Sequence, residues 1–183
     1  TDIPPGPYDL WMHCASLGEF EQGRPVLEKL RNDFSHLQIV LTFYSPSGYE
    51  VRKNTPLADL VMYLGPDKPH VMSKWVSALK PSLFITVKYE VWPNLFLALY
   101  REKVPIYMLS AIFRKNHRYF GRFSHFWIPI LQKVTHFYVQ NELSASMLKK
   151  SGIDQVSVIG DTRYDRVMSI ARQAQIAEEY KQW

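Results

Sequence analysis

Two glutamates in this 183-residue chain stand directly after short apolar runs, where an acid in a cleft could exchange protons. Glu19 follows the run LWMHCA (10–15), within the stretch HCASLGEFEQG (13–23). Glu90 follows LFITVK (83–88), within KYEVWPN (88–94). A carboxylate at a helix N-terminus is stabilised as the anion, by about 0.3–1 kcal/mol when exposed. An ionised carboxylate in a cleft is a good general base for a hydroxyl nucleophile. Glu19 could equally serve as a cap for the helix that follows it. Glu90 has Trp92 beside it, an acid-and-aromatic pairing common where carbohydrate binds; the plainer alternative is a capping or ion-paired acid beside a core tryptophan.

Other stretches could bind rather than react. In TFYSPSGYE (42–50), Ser45, Ser47 and Gly48 could present hydroxyls and backbone N–H groups to a sugar or phosphate. They could also be a plain turn. In FRKNHRYFGRFSHFWIP (113–129), Arg114, Lys115, Arg118 and Arg122 alternate with Tyr119, Phe120, Phe123, Phe126 and Trp127. Read as a helix, this suits a membrane interface or single-stranded nucleic acid, or else a core-packed aromatic face with solvated cations. A net charge of +5 favours acidic partners without choosing among them. There is no P-loop, no G-x-G-x-x-G, no G-x-S-x-G and no second cysteine to pair with Cys14. The six histidines lack metal-ligand spacing, so neither a metal nor a cofactor is expected, and His13 reads as a satisfied strand residue.

The elements that must position these residues follow from periodicity. Seven runs read as strands: 10–15, 38–44, 60–65, 83–88, 105–111, 136–140 and 156–160. Several are apolar at alternating and intervening positions alike, as in parallel strands covered on both faces. Helical segments lie between them. Phe20, Leu27, Leu30 and Phe34 share a face, with the regular helix expected to start near Pro25. Asp67-Lys68-Pro69 opens a segment with Val71, Trp75 and Leu79 spaced by four, and Asn141 is a candidate N-cap for a helix that stops at Gly152. The pattern predicts one α/β domain over 1–183, a doubly wound, mainly parallel sheet of about seven strands with a closing helix near 163–182. Its functional crevice belongs at the carboxyl ends of the strands. No run is long and apolar enough to cross a bilayer.

Taken together, four ordered motifs resemble a known family. HCASLGE is similar to the HAASVGE signature of 3-deoxy-D-manno-octulosonic acid (Kdo) transferases, and YEVWPN to their E-x-W-P-N loop. VQNELSASMLKKSGI resembles the family's Q-x-E helix, and VIGDTRYD its G-N-x-K-x-D segment. The resemblance spans residues 8–166. It implies the Rossmann-like amino-terminal half of a GT-B glycosyltransferase, inactive alone. The carboxyl-terminal domain that holds most of the CMP-Kdo donor site, and an upstream membrane anchor, are expected outside this chain.

The resemblance also implies roles. Glu19 corresponds to the base that deprotonates the acceptor sugar's hydroxyl, which attacks the Kdo anomeric carbon with inversion as CMP leaves. Ser16, Gly18, Ser47, Gly48, Glu90 and Trp92 fall on the acceptor side, where the partner is a lipid A precursor. Arg114, Lys115, Arg118 and Arg122 would meet its phosphates or an anionic membrane at the cytoplasmic face of the inner membrane; nucleic acid is not expected. Arg163 would contact the donor or the second domain. Cys14 and Leu17 replace the usual Ala and Val, Lys88 stands where many relatives carry a second acid, and Asp161 and Arg163 replace Asn and Lys. Ile112 falls near an arginine of the family's N-x-R-L-S run, which Arg114 partly replaces. The reading from a different class is a non-catalytic, basic Rossmann-like module for a nucleotide or nucleic acid. A continuous basic groove without converging carboxylates would mark that second reading.

Overall fold

A computed structural model describes residues 2–88, 90–114 and 117–160. Lys115, Arg163 and the expected closing helix at 163–182 lie outside the described residues. Each predicted strand is present: β1 (Tyr8–Cys14), β2 (Ile39–Phe43), β3 (Leu60–Tyr63), β4 (Pro81–Val87), β5 (Ile106–Ala111), β6 (His136–Val139) and β7 (Val156–Val158). The helices between them are α1 (Leu17–Asp33), α2 (Pro46–Arg52), α3 (Pro69–Leu79), α4 (Pro93–Arg101), α5 (Ser124–Leu131) and α6 (Glu142–Lys150).

The sheet order is β3-β2-β1-β4-β5-β6-β7, with every neighbouring pair parallel. The chain therefore builds outward from β1 to β3, returns to β4 on the other side of β1, and builds outward again. In a doubly wound sheet, the carboxyl ends of the strands flanking such a reversal open a crevice. Here those strands are β1 and β4, with His13 opposite Thr86. Whatever follows Cys14 and Val87 must therefore emerge side by side. That puts the Glu19 and Glu90 loops at one place.

Both faces of the sheet are buried. Trp11 stacks on Trp75 of α3 at 5.8 Å and meets the edge of Phe84 at 5.1 Å, in a core shared with α4, α5 and α6. On the other face Met12, Phe43 and Val87 pack with Phe20 and Leu27 of α1. Each such side chain contributes roughly 1.5–3 kcal/mol when fully buried. Of the four residues expected on the buried face of α1, Phe20 and Leu27 are buried, Leu30 packs partly, and Phe34 lies exposed beyond the helix end.

Helix starts follow the caps, with two corrections. α1 begins at Leu17, not near Pro25, because Ser16 and Glu19 form a capping box that fixes the start; Pro25 sits inside the helix. The stretch 113–129 is not one helix: residues 117–123 form turns and only α5 is helical. Phe113 gathers Tyr119, Phe120 and Phe137 edge-on around its ring, and a continuous helix could not bring Tyr119 and Phe120 onto it together. Asn141 does cap α6, accepting from the Ser144 N–H at 2.9 Å, and Gly152 past its end has φ +74°.

Asp67 caps a helix it does not open. Its carboxylate accepts the N–H groups of Asn94 (3.1 Å) and Leu95 (3.0 Å), while the Asn94 side-chain amide returns a bond to the Asp67 carbonyl (2.7 Å). Trp92, the N-cap of α4, makes no side-chain capping bond, so the acid from the β3–α3 loop supplies it. Asp67→Ala is expected to lower stability by about 0.5–2 kcal/mol in urea unfolding, while Lys68→Ala at the α3 N-cap stays within about 0.5 kcal/mol. Equal effects from the two would show that the cap across the loops contributes nothing.

Candidate active site

The crevice between β1 and β4 holds two carboxylates in electrostatic contact. Glu19, at the third position of α1, is 7% exposed and accepts the Ser16 backbone N–H at 3.1 Å. Burial pushes its pKa from 4.5 up to about 7, and the Glu90 carboxylate adds to the rise. The N–H groups of Ser16 and Ala15 and the Lys88 ammonium pull the other way. Glu90 is likewise raised by burial, against the Trp92 indole, Arg118 and Lys88, which favour its anion. Helix capping and general-base chemistry are therefore not rivals at Glu19. The cap orients the carboxylate, and burial beside a like charge places its titration near neutrality.

Lys88 adds a small positive influence on both acids. It directly follows β4 at φ 63°, a left-handed conformation uncommon outside glycine, where the chain turns. The residue that departs from the family pattern thus adds to the positive charge near the pair, behind Arg118 at Glu90.

A third segment closes over the Glu90 loop. Tyr119 is buried, and its hydroxyl accepts from the Val91 backbone N–H, with Arg118 and Glu90 both acting on it. The Arg118 guanidinium lies over the rings of Trp127 (4.6 Å) and Tyr119 (5.5 Å) and bears on Glu90. Arg114, Arg118 and Arg122 are all exposed, and of the three Arg118 acts on Glu90.

The remaining predicted residues divide. Ser16 is the partly buried N-cap of α1, and a Cβ at exposed Gly18 would meet only Ser16 Oγ at 4.0 Å, so the turn leaves open space there. Ser47 is exposed and paired with Ser45 Oγ at 2.9 Å. Gly48 faces inward: an added Cβ would lie 2.2 Å from the Phe43 ring, so the residue packs against the sheet and does not present itself to a ligand. Trp92, only 9% exposed, sits edge-on to His13 at 5.0 Å and is a packing residue. His13 Nδ1 lies 3.0 Å from Thr42 Oγ1, which accepts the Trp11 indole N–H at 2.8 Å. Burial lowers the His13 pKa to about 3, so the ring is neutral. Its Nε2 makes no hydrogen bond among the described residues, so the ring is only half satisfied. Burial and Glu19 raise the Cys14 thiol, leaving it unreactive.

Sequence reasoning missed Asp67 as the cap of α4, Tyr119 as the closure and Tyr44 on the crevice side. Only Tyr44 left a signal, as an aromatic at the end of a strand. No group of three or more His, Cys, Asp or Glu able to hold a metal occurs among the described residues.

Residues 3–166 match the family model described as 3-Deoxy-D-manno-octulosonic-acid transferase (kdotransferase). The chain belongs to this Kdo transferase family. It is 28% identical over 167 residues to the 3-deoxy-D-manno-octulosonic acid transferase of Haemophilus influenzae, covering 88% of this chain and 39% of that protein. It is 33% identical over 122 residues to a probable mitochondrial 3-deoxy-D-manno-octulosonic acid transferase of Arabidopsis thaliana, covering 66% of this chain and 27% of that one. The chain thus spans less than half the length of these relatives. Among solved structures, a UDP-GlcNAc 2-epimerase from Neisseria meningitidis bound to UDP-GlcNAc superposes with TM-score 0.68 at 17% identity, over 95% of this chain and 52% of that one. That likeness is one of fold and supports the Rossmann-like assignment.

The raised Glu19 pKa fixes a sign for stability. The folded chain holds this proton more tightly than the unfolded chain, so the group's contribution to stability falls as pH rises from about 4.5 through about 7. Glu19→Gln keeps an acceptor for the Ser16 N–H and removes the charge. The variant is expected to melt at a higher temperature than the parent at pH 8 and at the same temperature at pH 4.5. Equal melting at both pH values would mean that Glu19 carries no burden of burial.

Proposed function

We propose that this chain is the acceptor-side domain of a glycosyltransferase that moves Kdo from CMP-Kdo to a lipid A precursor, with Glu19 as general base. The observation that carries the reading is the convergence of Glu19 and Glu90 at the β1–β4 crevice, in a chain of the Kdo transferase family. An acceptor hydroxyl gives its proton to the Glu19 carboxylate, and its oxygen forms a bond to the Kdo anomeric carbon. The bond from that carbon to the CMP phosphate oxygen breaks, CMP leaves, and the anomeric centre inverts. The donor already carries an activated leaving group, so the protein's work is a base, orientation and charge compensation. A carboxylate that titrates near 7 is half ionised at neutral pH and still basic enough to accept a hydroxyl proton.

Glu90 sustains that basicity, and its proposed second role is to accept hydrogen bonds from acceptor hydroxyls. Arg118 and Lys88 supply positive charge where a phosphorylated acceptor or the anionic donor would enter. Arg114 and Arg122, with Phe123 (60% exposed) and Phe126 (51% exposed) on the same segment, form a basic and apolar surface suited to an anionic membrane. This fits a place at the cytoplasmic face of the inner membrane. The donor domain of a GT-B architecture is proposed to come from outside this chain, with donor contacts from Arg163. The non-catalytic binding module is the weaker reading, because it calls for a continuous basic groove without converging carboxylates, and two carboxylates act on each other here.

The test uses the complete protein, CMP-Kdo and a lipid A precursor. Glu19→Gln is expected to lower kcat by about 10² or more while leaving the fold intact. In the parent, kcat/KM rises with pH and levels off above about 7. Glu90→Gln removes one cause of the raised Glu19 pKa and is expected to move that rise to lower pH. Near-normal transfer by Glu19→Gln would return Glu19 to helix capping and pass the base role to Glu90.

A further inference from the structure

Tyr44 directly follows β2 and is 56% exposed. A single exposed aromatic needs no explanation on its own. This one is not loose. Its ring meets Trp92 edge-on at 5.0 Å, and Trp92 in turn rests edge-on against His13 at 5.0 Å. His13 is held by Thr42, and Thr42 by the Trp11 indole N–H. Four side chains, three of them fully buried, thus brace one exposed ring.

The position of the ring follows from the strand order. β2 and β4 flank β1, so Tyr44 from the end of β2 and Trp92 from beyond β4 meet across the carboxyl end of β1. The next residue, Ser45, donates its N–H to the Ala15 carbonyl at 2.7 Å, tying the Tyr44 loop to the turn that leads into Glu19. The Trp92 indole also favours the Glu90 anion, although its Nε1 makes no hydrogen bond among the described residues. The aromatic support and the carboxylate pair therefore share one frame.

We infer that Tyr44 is the platform on which the acceptor's sugar ring stacks, and that Trp92 acts as its buttress. The inference rests on the transferase reading proposed above. A pyranose carries an apolar C–H face and a rim of hydroxyls, and it needs a flat apolar surface beside groups that accept hydrogen bonds. Tyr44 offers the surface; Glu19 and Glu90 offer the acceptors. A ring already immobilised loses little freedom when a ligand covers it. Trp92 itself is too covered to take this role.

The complete protein, assayed with CMP-Kdo and a lipid A precursor, tests this through the split between KM and kcat. Tyr44→Ala is expected to raise the acceptor KM about tenfold, leaving the donor KM unchanged and kcat within about threefold. Tyr44→Phe, which keeps the ring, is expected to restore the acceptor KM to within about twofold of the parent. Melting temperature is the control for folding, and the exposed ring predicts little change in Tyr44→Ala. An unchanged acceptor KM in Tyr44→Ala, a loss in Tyr44→Phe as large as in Tyr44→Ala, or an effect on the donor KM alone would each overturn the inference. If the unmodified protein transfers no Kdo, the transferase reading itself fails and the stacking role falls with it. Transfer by the parent with an indifferent Tyr44 removes only the stacking role.

Discussion

Two carboxylates set beside each other away from water repel, and neither gains from being there; the fold must hold them in place against that repulsion. Here the restraint is distributed. Ser16 and Ala15 N–H groups hold one acid, the Trp92 indole and Arg118 favour the anion of the other, and Lys88 bears on both. The loops cannot drift apart because β1 and β4 are hydrogen-bonded neighbours whose registered ends lie under them. Each strand is buried on both faces, so sliding one past its neighbour would expose a whole row of core side chains. The strained electrostatics at the edge are sustained by ordinary packing beneath.

The division of the core into two layers has a bearing on how the acids differ. Glu19 rides on α1, which packs on the Met12–Phe43 side of the sheet. The Glu90 loop leads into α4, which packs on the Trp11–Phe84 side. The two carboxylates thus come from opposite layers and meet only over the sheet edge. This geometry lets their surroundings be tuned separately. Glu19 has backbone donors and depth, and Glu90 has an indole, a guanidinium and a covering tyrosine.

Much of this architecture can be read from residue order alone. The seven apolar runs are strands because each is too short for a helix and sits between turn-forming residues, and local rules of that kind survive folding. Asn141 and Gly152 are legible for the same reason, since a cap acts within a few residues. What escapes is non-local. Asp67 stands just before Pro69 and reads as opening α3, yet its carboxylate reaches Asn94 and Leu95, a partnership that exists only because β3 and β4 end on the same edge of the sheet. Residues 113–129 alternate basic and aromatic types in a way that suits a helix, but Phe113 collects rings from several directions and the chain turns to satisfy it. Lys88 reads as the loss of an acid; only the crevice reveals it as a cation acting on two acids. Gly48 reads as a donor loop, and its real constraint is the ring of Phe43 behind it.

The bond set around Asp67 also bears on how such domains can be recombined. Because the β3–α3 loop supplies the cap for the helix that follows the Glu90 loop, those two segments form a single exchangeable module although 27 residues separate Asp67 from Asn94. A chimera that takes one segment from one parent and the other from a second parent would inherit a cap without its helix, or a helix without its cap. Crossover points in this half of the sheet are therefore compatible with a built site before Asp67 or after Leu95, and not between.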